Sequence, residues 1–252
     1  MQIPKLIIFD LDGTLAESKQ PLTDEMATLV ARLLAVTKVA VISGGAFSQF
    51  LKQVVAQLPV DANLSRLYIL PTSGAALYEY RNDNWDKIYE ERLSEKDKDT
   101  IEEAMRASAT ETGLIDFRKP APYGERIEYR GGQVTMSALG QQAPLDEKKK
   151  WDPTHAKRHA LQEAIAKRLP GFSVGIGGIT SIDVAKRGVD KAYGIHQLCE
   201  RLGIKESEAL YVGDELESGG NDEAVYKTDV QTKTVATPAE TERFIESLLT
   251  AS

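Results

Sequence analysis

Cysteine is nearly absent. Cys199 is the single one among 252 residues, which excludes an internal disulfide. On an expected helix it reads as a small buried hydrophobe. Positive charge is not in excess either: 31 lysines and arginines face 38 acids, giving a net charge of −7 at pH 7. The basic face of a nucleic-acid binder is therefore missing. No apolar run approaches the ~18 residues needed to cross a bilayer. The chain enters an apolar strand within its first ten residues, which leaves no room for a secretory leader. A cytoplasmic protein with no membrane or nucleic-acid partner is expected. Histidine is scarce, with His155, His159 and His196 alone. His155 and His159 stand one helical turn apart, a spacing able to hold zinc, but no acidic third ligand accompanies them at motif spacing, so a polar helix face is expected. Internal repeats and low-complexity tracts are also lacking.

What the chain does have is a hydrophobic fraction of 42%, enough for a real core. Its first third alternates strand and helix. Residues 6–9 form a short, continuously apolar strand of the kind covered on both faces. Thr23-Asp24 can cap a helix to about residue 36, with Met26, Leu29, Val30, Leu33 and Leu34 on one side. Strands follow at 38–42 and 67–70, with a helix over 47–57 between them. This rhythm means a parallel sheet with helices on its faces. After residue 81 the pattern changes. A short strand is expected over 86–91, a polar helix from a capping-box variant at Ser94–Asp97, and a hairpin of 125–130 and 133–139 around Gly131-Gly132. A helix over 153–168 and paired strands at 172–176 and 180–184 follow. The α/β rhythm returns with a helix at 190–202, strands at 209–212 and 232–235, and a last helix opened by Pro238. The expected fold is α/β, a doubly wound parallel-sheet core over 1–81 and 187–252. An α+β domain with an antiparallel sheet is inserted over 82–186. Trp85 and Trp151 are expected to pack near that insert's turns.

Ligands of such sheets sit at the carboxyl ends of the strands. Four separate segments point there. The first is Asp10-Leu11-Asp12-Gly13-Thr14, just past the first strand. A carboxylate beside a divalent cation stays ionised and can act as a nucleophile, and a second acid two residues on can donate and accept a proton. The second is Ser43-Gly44-Gly45, whose hydroxyl and small backbone units suit phosphate oxygens near a helix start. The third is Lys191, a fixed positive charge at a helix start. The fourth holds Gly213-Asp214 and Gly219-Gly220-Asn221-Asp222, with Asp214 and Asp222 as hard oxygen ligands for Mg²⁺.

These runs, "DLDGT", "VISGG", "DK" and "YVGD…GGND" in order at strand ends, resemble the haloacid dehalogenase superfamily of phosphotransferases. The resemblance implies roles. Asp10 would attack phosphorus and become an aspartyl phosphate. Asp12 would be the general acid and base, with its carbonyl on the metal. Ser43, Gly44 and Lys191 would hold the transferred phosphoryl group. Asp10, Asp12, Asp214, Asn221 and Asp222 would surround Mg²⁺. The complete set argues against a binding module with a dead site. The insert's place after the third strand resembles the branch holding sugar phosphatases and eukaryotic-type phosphomannomutases. The likeness to the phosphomannomutases runs over nearly the whole chain, through "ILPTSGAALYEY", "ERIEYRGGQVTMSALG" and "IGGITSIDVAKRGVDKAY". It implies a hexose phosphate as substrate, with mannose 1-phosphate and mannose 6-phosphate interconverted. It also implies a substrate-phosphate role for Arg130 and Lys148, and sugar hydroxyls on Ser181 and Asp183. The family often dimerises through the insert, which points to a homodimer. Two positions depart from the family: Gln141 and Lys148 stand where it has arginines, and neither binds phosphate bidentately. Arg126, on the strand face of Arg130, is a candidate for the missing charge. A weakened second phosphate site would favour the alternative, a sugar-phosphate phosphatase.

Overall fold

The computed structural model describes residues 3–250. In chain order, β1 (Leu6–Asp10), α1 (Asp24–Val36), β2 (Lys38–Ile42), α2 (Phe47–Gln53), β3 (Leu67–Leu70), β4 (Ala76–Arg81) and β5 (Asn84–Glu90) come first. Then follow α3 (Glu95–Thr112), β6 (Ile127–Tyr129), β7 (Gln133–Ser137), α4 (Leu145–Trp151), α5 (Ala156–Arg168), β8 (Phe172–Ile176) and β9 (Ser181–Lys186). The chain ends with α6 (Lys191–Leu202), β10 (Ala209–Gly213), β11 (Gln231–Thr234) and α7 (Pro238–Thr250). Two compact units result, Met1–Glu90 with Asp190–Ser252, and Glu91–Val189.

The first unit is built on a seven-stranded sheet in the order β11-β10-β1-β2-β3-β4-β5. Its strands from β11 to β3 are parallel, and β4 and β5 are antiparallel additions at one edge. Alternation explains the unbroken apolar runs. Ile7, Phe9, Val39 and Val41 pack with Met26, Val30 and Leu33 of α1. Leu6, Ile8, Ala40 and Ile42 pack on the other face with Ile195 and Leu198 of α6. With both faces covered, every residue of β1 is buried, each large side chain contributing about 1.5–3 kcal/mol. Thr23 caps α1 through the Met26 N–H, as its sequence predicts. Sequence reading extends α2 to residue 57; it stops at Gln53 and a 3-10 turn, Val55–Gln57, takes over.

Sequence reading also puts the strand at 86–91, with Trp85, in the insert. It runs instead as β5 in the large sheet, paired with β4 from Ala76 opposite Glu90 to Arg81 opposite Asn84. The physical reason is the turn. Asn82 and Asp83 take φ of 48° and 58°, the paired left-handed geometry of a tight hairpin rather than of a domain join. Trp85 then packs edge-on against Phe47 and Tyr80.

The second unit has a four-stranded antiparallel sheet, β6-β7-β9-β8. Val134, Met136, Ile182 and Val184 face Ile101 and Met105 of α3 and Leu161 and Ile165 of α5. The alternate residues Thr135, Ser137, Ser181 and Asp183 share the opposite face, since side chains alternate along a strand. Thr135 pairs with Asp183 and Ser137 with Ser181. Ser94 and Asp97 form the expected capping box of α3. The helix expected from residue 153 begins at Ala156, because His155 takes a left-handed backbone with φ of 63°. A separate helix, α4, precedes it and carries Lys148. No helix among the described residues is long and apolar enough to cross a membrane.

Candidate active site

The parallel register brings the ends of β1, β2 and β10 side by side: Asp10 pairs with Ile42, and Phe9 with Val212. Asp10, Ser43 and Asp214 therefore emerge at one edge of the sheet, as the sequence implies. Asp10 is only 2% exposed. Its Oδ1 accepts a hydrogen bond from Lys191 Nζ at 2.6 Å, while Oδ2 is buried with no hydrogen-bond partner. Lys191, the first residue of α6, also donates to Asp222 Oδ1 at 2.5 Å and to Asn221 Oδ1 at 2.7 Å. Asp190 caps this helix through the Tyr193 N–H, and its second oxygen pairs with Lys227. Both contacts fix the turn from which Lys191 projects.

The remaining acids arrive from the segment after β10. Thr14 Oγ1 donates to Asp214 Oδ1 at 3.0 Å. A Cβ on Gly13 would fall 2.3 Å from Asp214 Oδ2, so glycine alone lets that carboxylate lie over the Asp12–Thr14 turn, where φ at Gly13 is 94°. Asp12 accepts from the Lys19 N–H at 2.6 Å, which folds the loop back on itself. Ser43 is buried and its Oγ accepts from the Gly45 N–H at 3.3 Å, with Gly44 between them. Because α2 has only seven residues, this corner is defined by the loop's hydroxyl and backbone rather than by a helix terminus. Asn221 Oδ1 and Asp222 Oδ1 are engaged by Lys191, while Asp222 Oδ2 accepts from the Glu215 N–H.

One participant is not foreseen from the sequence. Tyr211, fully buried in β10, donates its hydroxyl to Asp222 Oδ1 at 2.5 Å and lies 3.4 Å from Lys191 Nζ. A buried tyrosine needs a partner for its hydroxyl. That requirement, in an otherwise apolar strand three residues before Asp214, was the available signal.

The electrostatics are those of crowded acids around one cation. Burial pushes the Asp10 carboxyl up, and Asp222 and Asp214 add to this against the pull of Lys191. Asp214 rises to about 7, through burial first and then the charges of Asp222 and Glu215. Burial alone would lower the Lys191 ammonium, but Asp10 and Asp222 more than reverse that. Tyr211 is raised by burial and by the same two acids. One cation therefore serves several acids, and the second oxygen of Asp10 has nothing to bind. Among the described residues no group of three or more His, Cys, Asp or Glu side chains forms a metal-ligating cluster. Two carboxylates and a backbone carbonyl remain a sufficient protein contribution for a small hard ion that keeps several waters. The orphaned Oδ2 of Asp10 and the elevated Asp214 fit such an ion.

In the second unit, Arg130 donates through Nε and Nη2 to Glu128 Oε2 at 2.9 and 2.6 Å, and through Nη2 to Gln141 Oε1 at 3.2 Å. Arg126, the candidate for extra phosphate charge, instead donates to the carbonyls of Ala138, Lys119 and Pro120. Lys148 is 5% exposed and set into the unit, whereas Lys149 and Lys150 face solvent. Ser181 and Asp183 share the polar face of β9, and a Cβ on Gly177 would lie 2.7 Å from Asp183 Oδ2.

Comparison with solved structures bears on the fold. A haloacid dehalogenase-like hydrolase from Bacteroides thetaiotaomicron superposes with a TM-score of 0.62 at 16% identity, over 98% of this chain and all of the other (100%). A Plasmodium falciparum IMP-nucleotidase superposes with a TM-score of 0.70 at 16% identity, over 97% of this chain and 70% of the other. The fold is that of the haloacid dehalogenase superfamily. The family model "Eukaryotic phosphomannomutase" matches residues 26–251. A phosphomannomutase of Glycine max is 28% identical over 97% of this chain and 96% of its own length. The chain belongs to the eukaryotic phosphomannomutase family.

Proposed function

We propose that the chain is a Mg²⁺-dependent phosphotransferase that works through an aspartyl phosphate on Asp10 and interconverts mannose 1-phosphate and mannose 6-phosphate. The observation that carries this reading is the pair of Asp10 oxygens, one held by Lys191 and the other buried and unbonded. The free oxygen forms a bond to phosphorus as the bond from phosphorus to the sugar oxygen breaks. Asp12 gives its proton to that leaving oxygen. In the second half a hydroxyl of a hexose monophosphate gives its proton to Asp12 and takes the phosphoryl group from Asp10, forming a bisphosphate whose other phosphate reacts next, so that the isomeric monophosphate leaves and Asp10 is phosphorylated again. Lys191 and the Ser43 loop hold the equatorial oxygens, whose charge must be neutralised in a loose transition state. Asn221, Asp222 and Tyr211 keep Lys191 aimed. Asp10, the Asp12 carbonyl and Asp214 would hold Mg²⁺, with Asn221 and Asp222 acting behind them or through water. The ion would supply charge neutralisation between the carboxylate and the phosphate dianion.

Within the second unit, Arg130, Lys148, Ser181 and Asp183 are the proposed contacts to the sugar and its far phosphate. Membership of the family supports a homodimer through this unit, which sedimentation tests, and a cytoplasmic site of action. A second reading, hydrolysis of a sugar phosphate, is favoured by one observation. The Arg130 guanidinium is already engaged by Glu128 and Gln141, and Gln141 brings no charge of its own. The two readings separate when the protein is given Mg²⁺, mannose 1-phosphate and glucose 1,6-bisphosphate. Mannose 6-phosphate without free phosphate supports the mutase; rapid phosphate release with no isomer rejects it.

A further inference from the structure

The chain between β3 and β4 is held in a strained conformation. Thr72, Ser73 and Gly74 have φ of 52°, 56° and 88°, three left-handed residues in succession. Glycine adopts this freely; serine, and above all a β-branched threonine, do not. Such a conformation persists only where its surroundings over-determine it. Here they do so from two sides. The Thr72 N–H donates to the Gly45 carbonyl at 3.0 Å and the Ser73 N–H to the Ser43 carbonyl at 2.9 Å, so consecutive left-handed amides grip the loop that carries Ser43. On the other side Gly74 lies against α6. A Cβ on Gly74 would come 2.7 Å from the Gly194 Cα, and a Cβ on Gly194 equally close to the Gly74 Cα. Gly194 sits nearly one turn beyond Lys191 on that helix. A third contact closes the arrangement. Tyr89 of β5 donates its hydroxyl to the Gly74 carbonyl at 2.8 Å, and its ring stands edge-on to Tyr193 of α6 at 6.0 Å.

We propose that residues 71–74 are a positioning loop, setting the Ser43 hydroxyl and the Lys191 ammonium at a fixed mutual distance around the phosphoryl group bound at Asp10. The proposal rests on the phosphoryl-transfer reading of the site. In an extended loop the two amides would swing away from Ser43 and Gly45, and α6 would lose the glycine-to-glycine contact that seats it. Groups that neutralise a transferring phosphoryl work only at their required distance, so displacement of about 1 Å is costly.

Ser73 supplies the test, because its backbone rather than its side chain carries the argument. Ser73→Val drives the residue out of the left-handed region; the conservative Ser73→Gly keeps it there. Orthovanadate, a phosphate mimic, is titrated calorimetrically into each protein with Mg²⁺ supplied, and kcat and KM are measured with mannose 1-phosphate. Ser73→Val is expected to weaken vanadate binding and lower kcat by roughly tenfold to a hundredfold, with a smaller change in KM. Ser73→Gly is expected to recover both values. A folded Ser73→Val protein with wild-type vanadate affinity and kcat overturns the proposal, as does a loss that Ser73→Gly fails to recover. A merely structural loop would move the melting temperature alone. Should Ser73→Val not fold, Tyr89→Phe decides: a loss of vanadate affinity of roughly fivefold supports the loop's role, and an unchanged affinity overturns it. A wild-type chain that binds vanadate without converting mannose 1-phosphate refutes the sugar-phosphate reading, and the loop is still judged by vanadate. A wild-type chain that binds no vanadate overturns both.

Discussion

Asp10 of the first unit and Asp152 of the second are both buried acids, each 2% exposed, yet their protons behave oppositely. Burial pushes Asp152 up, but the N–H groups of Lys157 and Arg158 and the Arg158 guanidinium outweigh it and hold the carboxyl below its ordinary value. Both of its oxygens are satisfied, and Arg158 also reaches the Gly178 carbonyl. Asp10 has one lysine, shares it with Asp222, and leaves an oxygen unbonded. Its carboxyl is pushed up by burial and by neighbouring acids. Both carboxyls are hidden from water, but Asp10 is set deeper and has fewer partners, so burial prevails there and hydrogen bonding prevails at Asp152. Perturbed acids with incomplete partners gather at functional sites for this reason.

The comparison can be tested by substitutions on each side of it. The largest effect is expected from Asp10→Asn. Removing the proposed nucleophile should cost about a thousandfold or more in kcat, while the melting temperature holds or rises because a crowded charge is gone. Arg158→Met is expected to do the reverse in kind. It leaves Asp152 buried without its cation, which should destabilise the chain by about 3–5 kcal/mol in denaturant unfolding. Tyr211→Phe is intermediate. It removes one hydrogen bond to a charged group, worth about 1.5–3 kcal/mol. It should lower kcat through a misaimed Lys191, read as a kcat fall with KM little changed.

The last effect is on pH dependence without added metal, where Asp214 and Asp152 differ in sign. Asp214 has a folded value of about 7 against an ordinary 3.8. The folded state therefore binds more protons between these values, and its contribution is full below 3.8 and lost as pH rises to about 7. Asp152 is lowered in the folded state, so its contribution is present above 3.8 and lost as pH falls through the folded value. Asp214→Asn should reduce the first slope in thermal unfolding, leaving the part that Asp10, also raised, contributes, and leave the second. An undiminished first slope in that variant would sink the assignment.

Much of this was legible in the sequence, and the gaps have physical causes. The unbroken runs of β1, β2 and β10 announced strands buried on both faces, and the acids just beyond them announced a shared edge. Ser94 and Asp97 announced the start of α3. By contrast, Asn82-Asp83-Asn84 read as the edge of a domain because turn residues mark hairpins and joins alike. Only the pairing of β5 with β4 separates the two. His155 could not be read as a break, since nothing in a histidine declares a left-handed backbone. Thr72 and Ser73 were hidden for the same reason, and Tyr211 looked like one more residue of an apolar strand. Lys148 stands in a run of three lysines, and only packing distinguishes it from Lys149 and Lys150.

The most direct measurement is chemical capture of Asp10. The protein is incubated with Mg²⁺ and glucose 1,6-bisphosphate, quenched in acid, digested and weighed by mass spectrometry. One phosphoryl group is expected on the peptide containing Asp10, removable by hydroxylamine as an acyl phosphate must be, and absent from Asp10→Asn. A phosphoryl group on another residue, or one that survives in Asp10→Asn, would contradict the proposed role of Asp10.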